Sequence, residues 1–289
     1  MTSQKIKHLT TQVEGLNIFY REAGPKGAPV VLLLHGYPTS SHMYRNLIPI
    51  LSEQYHVIAP DLIGFGYSDA PHYKVFRYTF DSLTKYIQGF VDQLGLKRFA
   101  IQVFDYGAPV GFRLAVANPE KITGIISQNG NAYEEGLSGG WNPIQKYWAD
   151  PSDENRNNLR AMTTAAATQR QYFTGVTDKS LVGPESYTLD QFFLDRDENV
   201  EIQLDLFKDY ASTVALYPTF HEYFRKSQVP LLAAWGNKDP LFLPAGAEAF
   251  KRDLPNAIVK FFDTGHFALE THVHEIGQEI LKFLATLPG

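Results

Sequence analysis

The 289-residue sequence contains no cysteine, which excludes disulfides, thiol nucleophiles and cysteine-ligated zinc. Long hydrophobic runs are missing too: the most extended aliphatic stretch is Val30–Leu34, and residues 1–10 are polar. A membrane span takes about 20 apolar residues, so neither a signal peptide nor a membrane association is expected, and a cytoplasmic location is. Nor is there an excess of positive charge. Lys and Arg number 26 against 31 Asp and Glu, a net charge of −5, so no field draws in nucleic acid. Internal repeats, low-complexity tracts and blocks of like charge are also absent. What is present is apolar material, 44% of the residues with only 20% charged, enough for a core to offset the entropy of ordering the chain.

The apolar residues are arranged in a recognisable rhythm. Two short strands, 10–13 and 16–20, flank the tight-turn pair Glu14-Gly15 and predict a hairpin. Aliphatic strands follow at 30–34, 57–59, 99–103, 124–127, 231–235 and 258–262, alternating with amphipathic helices at 41–52, 79–94, 109–118, 245–254 and 274–284. Such alternation predicts an α/β fold, a mostly parallel sheet with helices on both faces. Between 130 and 229 no aliphatic strand occurs, and helical patterning at 144–149, 157–167 and 200–214 predicts an inserted helical cap. The expected organisation is a core of 1–130 and 229–289 with a cap at 131–228.

Chemistry concentrates where strands end. Strand 99–103 runs into Phe104-Asp105-Tyr106-Gly107-Ala108, and Pro109 opens a helix, so Asp105 occupies a sharp strand-to-helix corner. Read alone, Asp105 could also cap that helix. His266, in Gly265-His266-Phe267, follows the last strand, and Asp239, in Trp235-Gly236-Asn237-Lys238-Asp239, follows the one before it. Nucleophile, acid and base then fall in chain order on loops at one sheet edge. In His35-Gly36-Tyr37-Pro38, after strand 30–34, the Tyr37 N–H is placed to join that of Tyr106 as an oxyanion hole.

The His35–Pro38 loop, the stretch Asp61-Leu62-Ile63-Gly64-Phe65-Gly66-Tyr67-Ser68-Asp69, the aspartate corner, Trp235-Gly236-x-x-Asp239 and Gly265-His266 together resemble the α/β-hydrolase superfamily. They resemble in particular its epoxide hydrolase and haloalkane dehalogenase branch. Two residues depart from the wider pattern at the corner: Val103 where a glycine is usual, and Phe104 where histidine is frequent.

The resemblance implies an eight-stranded, mostly parallel sheet with the cap between strands 6 and 7. A carboxylate is already ionised at pH 7, and attack on a saturated carbon gives an ordinary alkyl ester. Water activated by His266, oriented by Asp239, then hydrolyses it. No cofactor or metal is expected, and the partner is a small apolar electrophile acting on a monomer or homodimer. The resemblance further implies two cap tyrosines that hold an epoxide oxygen. The matching places are Tyr147 and Tyr210, with Tyr172 and Tyr217 as competitors, and Trp141 and Trp148 suggest an apolar pocket. An epoxide hydrolase is the leading expectation, a haloalkane dehalogenase the alternative. A ligand-binding protein on a hydrolase scaffold is the reading from another class.

Overall fold

The computed structural model describes residues 5–288; the first four residues of the polar start, and Gly289, lie outside the described residues. The hairpin forms as expected. Glu14 and Gly15 both take positive φ, 46° and 84°, and join β1 (Lys7–Val13) to β2 (Leu16–Ala23) with Val13 opposite Leu16. Six further strands complete one eight-stranded sheet: β3 (Val30–Leu34), β4 (His56–Pro60), β5 (Phe99–Phe104), β6 (Ile122–Gln128), β7 (Leu231–Gly236) and β8 (Ile258–Phe262). The strand order is β1-β2-β4-β3-β5-β6-β7-β8, antiparallel from β1 to β4 and parallel from there on. The central strands β3, β4 and β5 are almost wholly buried because helices cover both faces, which is why they read as unbroken aliphatic runs.

Helices α1 (Leu47–Leu51), α2 (Phe80–Gln93) and α3 (Gly107–Ala117) flank the first half of the sheet. Thr79 starts α2 with a capping box to Ser82, and its inward face of Phe80, Leu83, Ile87, Phe90 and Val91 is buried. Each such side chain contributes about 1.5–3 kcal/mol on leaving water. The single helix expected at 41–52 is broken into a 3-10 turn, Ser41–Tyr44, and α1, where Asp61 Oδ1 accepts the Ser41 N–H at 2.7 Å.

Between β6 and β7 the chain forms no strand beyond a single bridge from Leu137 to Phe242; its helices are α4 (Asn142–Ala149), α5 (Asp153–Asn158), α6 (Ala165–Phe173), α7 (Pro184–Leu194), α8 (Asn199–Ala215) and α9 (Tyr217–Ser227). The helix expected at 157–167 is divided by a 3-10 stretch, Leu159–Thr163, while α7 and α9 carry too mixed a pattern of aromatic and polar residues to stand out. Arg196 and Asn199 donate to the Gly64 carbonyl, with Arg196 also reaching that of Gly66, and so tie this insertion to the core. The 61–69 stretch therefore serves as a bracket. After β7 come α10 (Pro244–Ala249) and α11 (Ala268–Leu284), the latter kinked at His272. Among the described residues, no helix is long and apolar enough to cross a membrane.

Candidate active site

The parallel strands bring their carboxyl ends to one edge, and each delivers a loop residue there. Asp105 follows β5 with φ 47°, a conformation unfavourable for a residue with a Cβ. The corner is feasible because its neighbours are small. A Cβ on Gly36 would strike the Asp105 side chain, and one on Gly107 would strike the Leu34 carbonyl. The bulk of Val103 is likewise accommodated by a glycine, since Gly111 of α3 packs directly on it.

Asp105 is 4% exposed, and its Oδ1 accepts both the Tyr37 N–H and the Tyr106 N–H at 2.6 Å. The Tyr37–Pro38 bond is cis. The N-terminus of α3 falls at Tyr106 without a side-chain cap, so helix capping does not account for the carboxylate. Burial pushes the Asp105 pKa up to about 6 against the opposing pull of His266 and the two N–H groups.

His266 is completely buried, and its Nδ1 lies 2.7 Å from Asp239 Oδ2. Its Nε2 has no hydrogen-bond partner and faces Asp105 Oδ2 across 3.8 Å, too far for a direct bond. Burial lowers the imidazole pKa, but the Asp239 charge, the Asp239 hydrogen bond and the Asp105 charge raise it above its ordinary value. The Phe104 ring packs 4.6 Å from His266 and supplies an apolar wall.

One residue of this edge escaped the sequence reading. Asn129, just past β6 with φ 47°, donates from Nδ2 to Asp239 Oδ2 at 2.7 Å, while its Oδ1 accepts the Gly236 N–H at 3.0 Å. Together with the Leu241 N–H on Oδ1, it fixes the acid beneath the imidazole. The signal was Asn129-Gly130 at a strand end, since asparagine tolerates positive φ better than most residues.

Above Asp105 lies a cavity of about 380 Å³. The core contributes Tyr37 and Tyr106, and the insertion contributes Trp141, Met162 and Phe207 among others. Trp141 thus lines the cavity as expected, but Trp148 does not. It stands behind Trp141, ring centres 6.1 Å apart, with its indole N–H donated to the Phe207 carbonyl at 2.7 Å. The indoles of Trp141 and Trp235 are similarly bound, to the carbonyls of Leu241 and Phe242.

The four cap tyrosines separate clearly. Tyr147 does not reach the cavity lining; its hydroxyl accepts from Arg156, which also pairs with Glu201 and Asp205. Tyr172 donates to Asp190 at 2.5 Å, and Tyr217 accepts from Asn131 at 3.2 Å. Tyr210 does not reach the cavity lining either, its buried hydroxyl lying beside that of Tyr217; the Tyr106 hydroxyl, on a residue that does line the cavity, is buried without a partner. Burial first, then Tyr217 and the Asp105 charge, push the Tyr210 pKa upward. Among the described residues, no cluster of three or more His, Asp or Glu side chains is arranged to hold a metal ion.

A family model described as the alpha/beta hydrolase fold matches residues 29–273. The chain belongs to the α/β-hydrolase fold family. An uncharacterized hydrolase of Saccharomyces cerevisiae is 47% identical to this α/β-hydrolase over 276 residues, 94% of each chain. A haloalkane dehalogenase of Mesorhizobium japonicum is 26% identical over 287 residues, covering 92% of this chain and 87% of the other. The crystal structure of a loop variant of haloalkane dehalogenase DbeA from Bradyrhizobium elkanii superposes with a TM-score of 0.78 at 25% identity, over 97% of each chain. These likenesses set this α/β-hydrolase in the dehalogenase-like branch of the family.

Proposed function

We propose that this hydrolase converts epoxides to vicinal diols through an alkyl ester on Asp105, with residues 131–228 as a lid. Asp105 Oδ2 attacks an epoxide carbon, the C–O bond breaks, and the departing oxygen takes a proton from the Tyr106 hydroxyl, the unpartnered phenol of a cavity-lining residue. His266 then removes a proton from water, whose oxygen adds to the Asp105 carboxyl carbon. Negative charge collects on Oδ1, where the Tyr37 and Tyr106 N–H groups already converge at 2.6 Å. One such donor typically stabilises the transition state by about 2.7–4 kcal/mol. Collapse releases the diol, protonated by His266, and the proton left on Asp105 restores the phenol through solvent.

The observation that carries the choice of substrate is the contrast between free and committed donors. An alkoxide needs a proton or a strong O–H donor, and the buried phenol of Tyr106, which lines the cavity, has no partner. A halide is suited to N–H donors, and all three indole N–H groups are bound to backbone carbonyls. The second reading, haloalkane dehalogenation on the same Asp105, is favoured by the names of the similar dehalogenases.

Diol formation from styrene-type epoxides, measured beside halide release from bromo- and chloroalkanes, separates the two. Halide without diol reverses the order. The covalent step is tested with His266→Gln, which should retain a substrate-sized mass increment on the Asp105 peptide. Turnover that survives Asp105→Ala ends both readings.

A further inference from the structure

One helix face of the cavity does not match the rest. Ala167, Arg170, Gln171 and Thr174, on or just past α6, recur at helical spacing and all line it. Much of the remaining lining is apolar, with Trp141, Ile144, Phe207 and Leu241. Arg170 is exposed while also lining the cavity, so it stands at the rim between the chamber and solvent. Among the described residues it forms no ion pair or side-chain hydrogen bond. Beside it, the Gln171 Oε1 is buried without a partner, and a half-turn of that amide would present an N–H donor instead. The other formal charge lining the cavity, Asp105, is the buried carboxylate at its base.

A ligand that satisfies both ends is amphipathic. We propose that the cavity selects substrates whose reacting carbon is joined through an apolar segment to a carboxylate, held at the rim by Arg170 with Gln171 as a second polar contact. Repulsion from Asp105 fixes the orientation: the anionic end stays outward and the electrophilic end goes in. The proposal rests on the reading of this cavity as the substrate site, and it holds for epoxide and halide alike.

The test reads binding, so it is independent of which electrophile reacts. Calorimetric titration with octanoate and with octanamide compares equal chains that differ in charge. Wild type is expected to bind octanoate about threefold to fivefold more tightly, the scale of an exposed ion pair, with the margin shrinking as salt is raised. Arg170→Gln should bring the ratio near one, and Arg170→Lys should keep most of it. Equal binding of the two probes by wild type, or an unchanged ratio in Arg170→Gln, overturns the proposal. A failure of the epoxide reading would instead show as absent diol with the binding ratio intact.

Discussion

The two halves of the site are built differently. On the sheet side the polar groups that carry the proposed chemistry are tightly held: Asp239 accepts from His266, Asn129 and the Leu241 N–H, and Asp105 accepts two backbone N–H groups. On the helical side the indoles are committed to carbonyls, and the Gln171 amide oxygen at the cavity is left without a partner. The hydrogen-bonded carboxylates resist change, because an orphaned buried group costs about 1–3 kcal/mol; on that side His266 Nε2 and the Tyr106 hydroxyl stay unpartnered. Groups left unsatisfied beside a cavity are available to a ligand. In the proposed reading the sheet edge supplies the reacting groups and the proton donor, and the insertion supplies the walls that a substrate chain must fit.

That division can be broken from either side. The largest effect is expected at Asp105: Asp105→Asn should reduce turnover by about 10⁴-fold or more, as loss of a nucleophile does, measured as diol formation. The same carboxylate gives a pH signature. Attack requires the ionised form, so the wild-type rate should fall as pH drops below about 6, the value to which burial raises Asp105.

The sign for stability is opposite. A raised carboxyl pKa favours the folded state at low pH and costs stability as pH rises through the folded value. Relief from a shift of roughly two units is up to about 3 kcal/mol, so Asp105→Asn should be the more stable protein at pH 8 and converge with wild type near pH 4. Urea unfolding at the two pH values checks this.

Next, Tyr106→Phe, which keeps the backbone N–H, should slow epoxide opening by about 10²-fold while leaving halide release from a bromoalkane within a few-fold. Equal losses on both substrates would erase the distinction between the two readings. Asn129→Ala should lower kcat by about tenfold, with little change in octanamide affinity, through the unpaired lone pair left on Asp239. The smallest effect is expected at Trp148→Phe, about 1 kcal/mol of stability from the lost bond to Phe207 and less than about threefold in rate, because the ring lies behind the cavity wall.

The same contrast explains what could be read from the chain. Each strand expected from aliphatic runs is present, because burial on both faces leaves an unmistakable composition, and turn residues such as Glu14-Gly15 mark the intervals. Asp105, Asp239 and His266 stand together for a related reason: parallel strands carry their following loops to one edge. Asn129 uses the same geometry but lacks a reactive side chain to draw attention. In the insertion, position along the chain says little about direction. Tyr147 and Tyr210 are both buried aromatics, and only packing turns one toward the Arg156 ion pairs and the other toward Tyr217 and Trp141, with neither in the cavity lining. The helix breaks at 159–163 and the course of α7 depend on contacts with distant residues, which no local pattern encodes.

Across the 3.8 Å gap between His266 Nε2 and Asp105 Oδ2, the proposed cycle couples nucleophile to base. The Asp105 charge is one of the influences that raise the imidazole pKa. Esterification cancels that charge, so the ring holds a proton less firmly beside the ester than beside the free carboxylate. The first half of the cycle thereby retunes the group that performs the second.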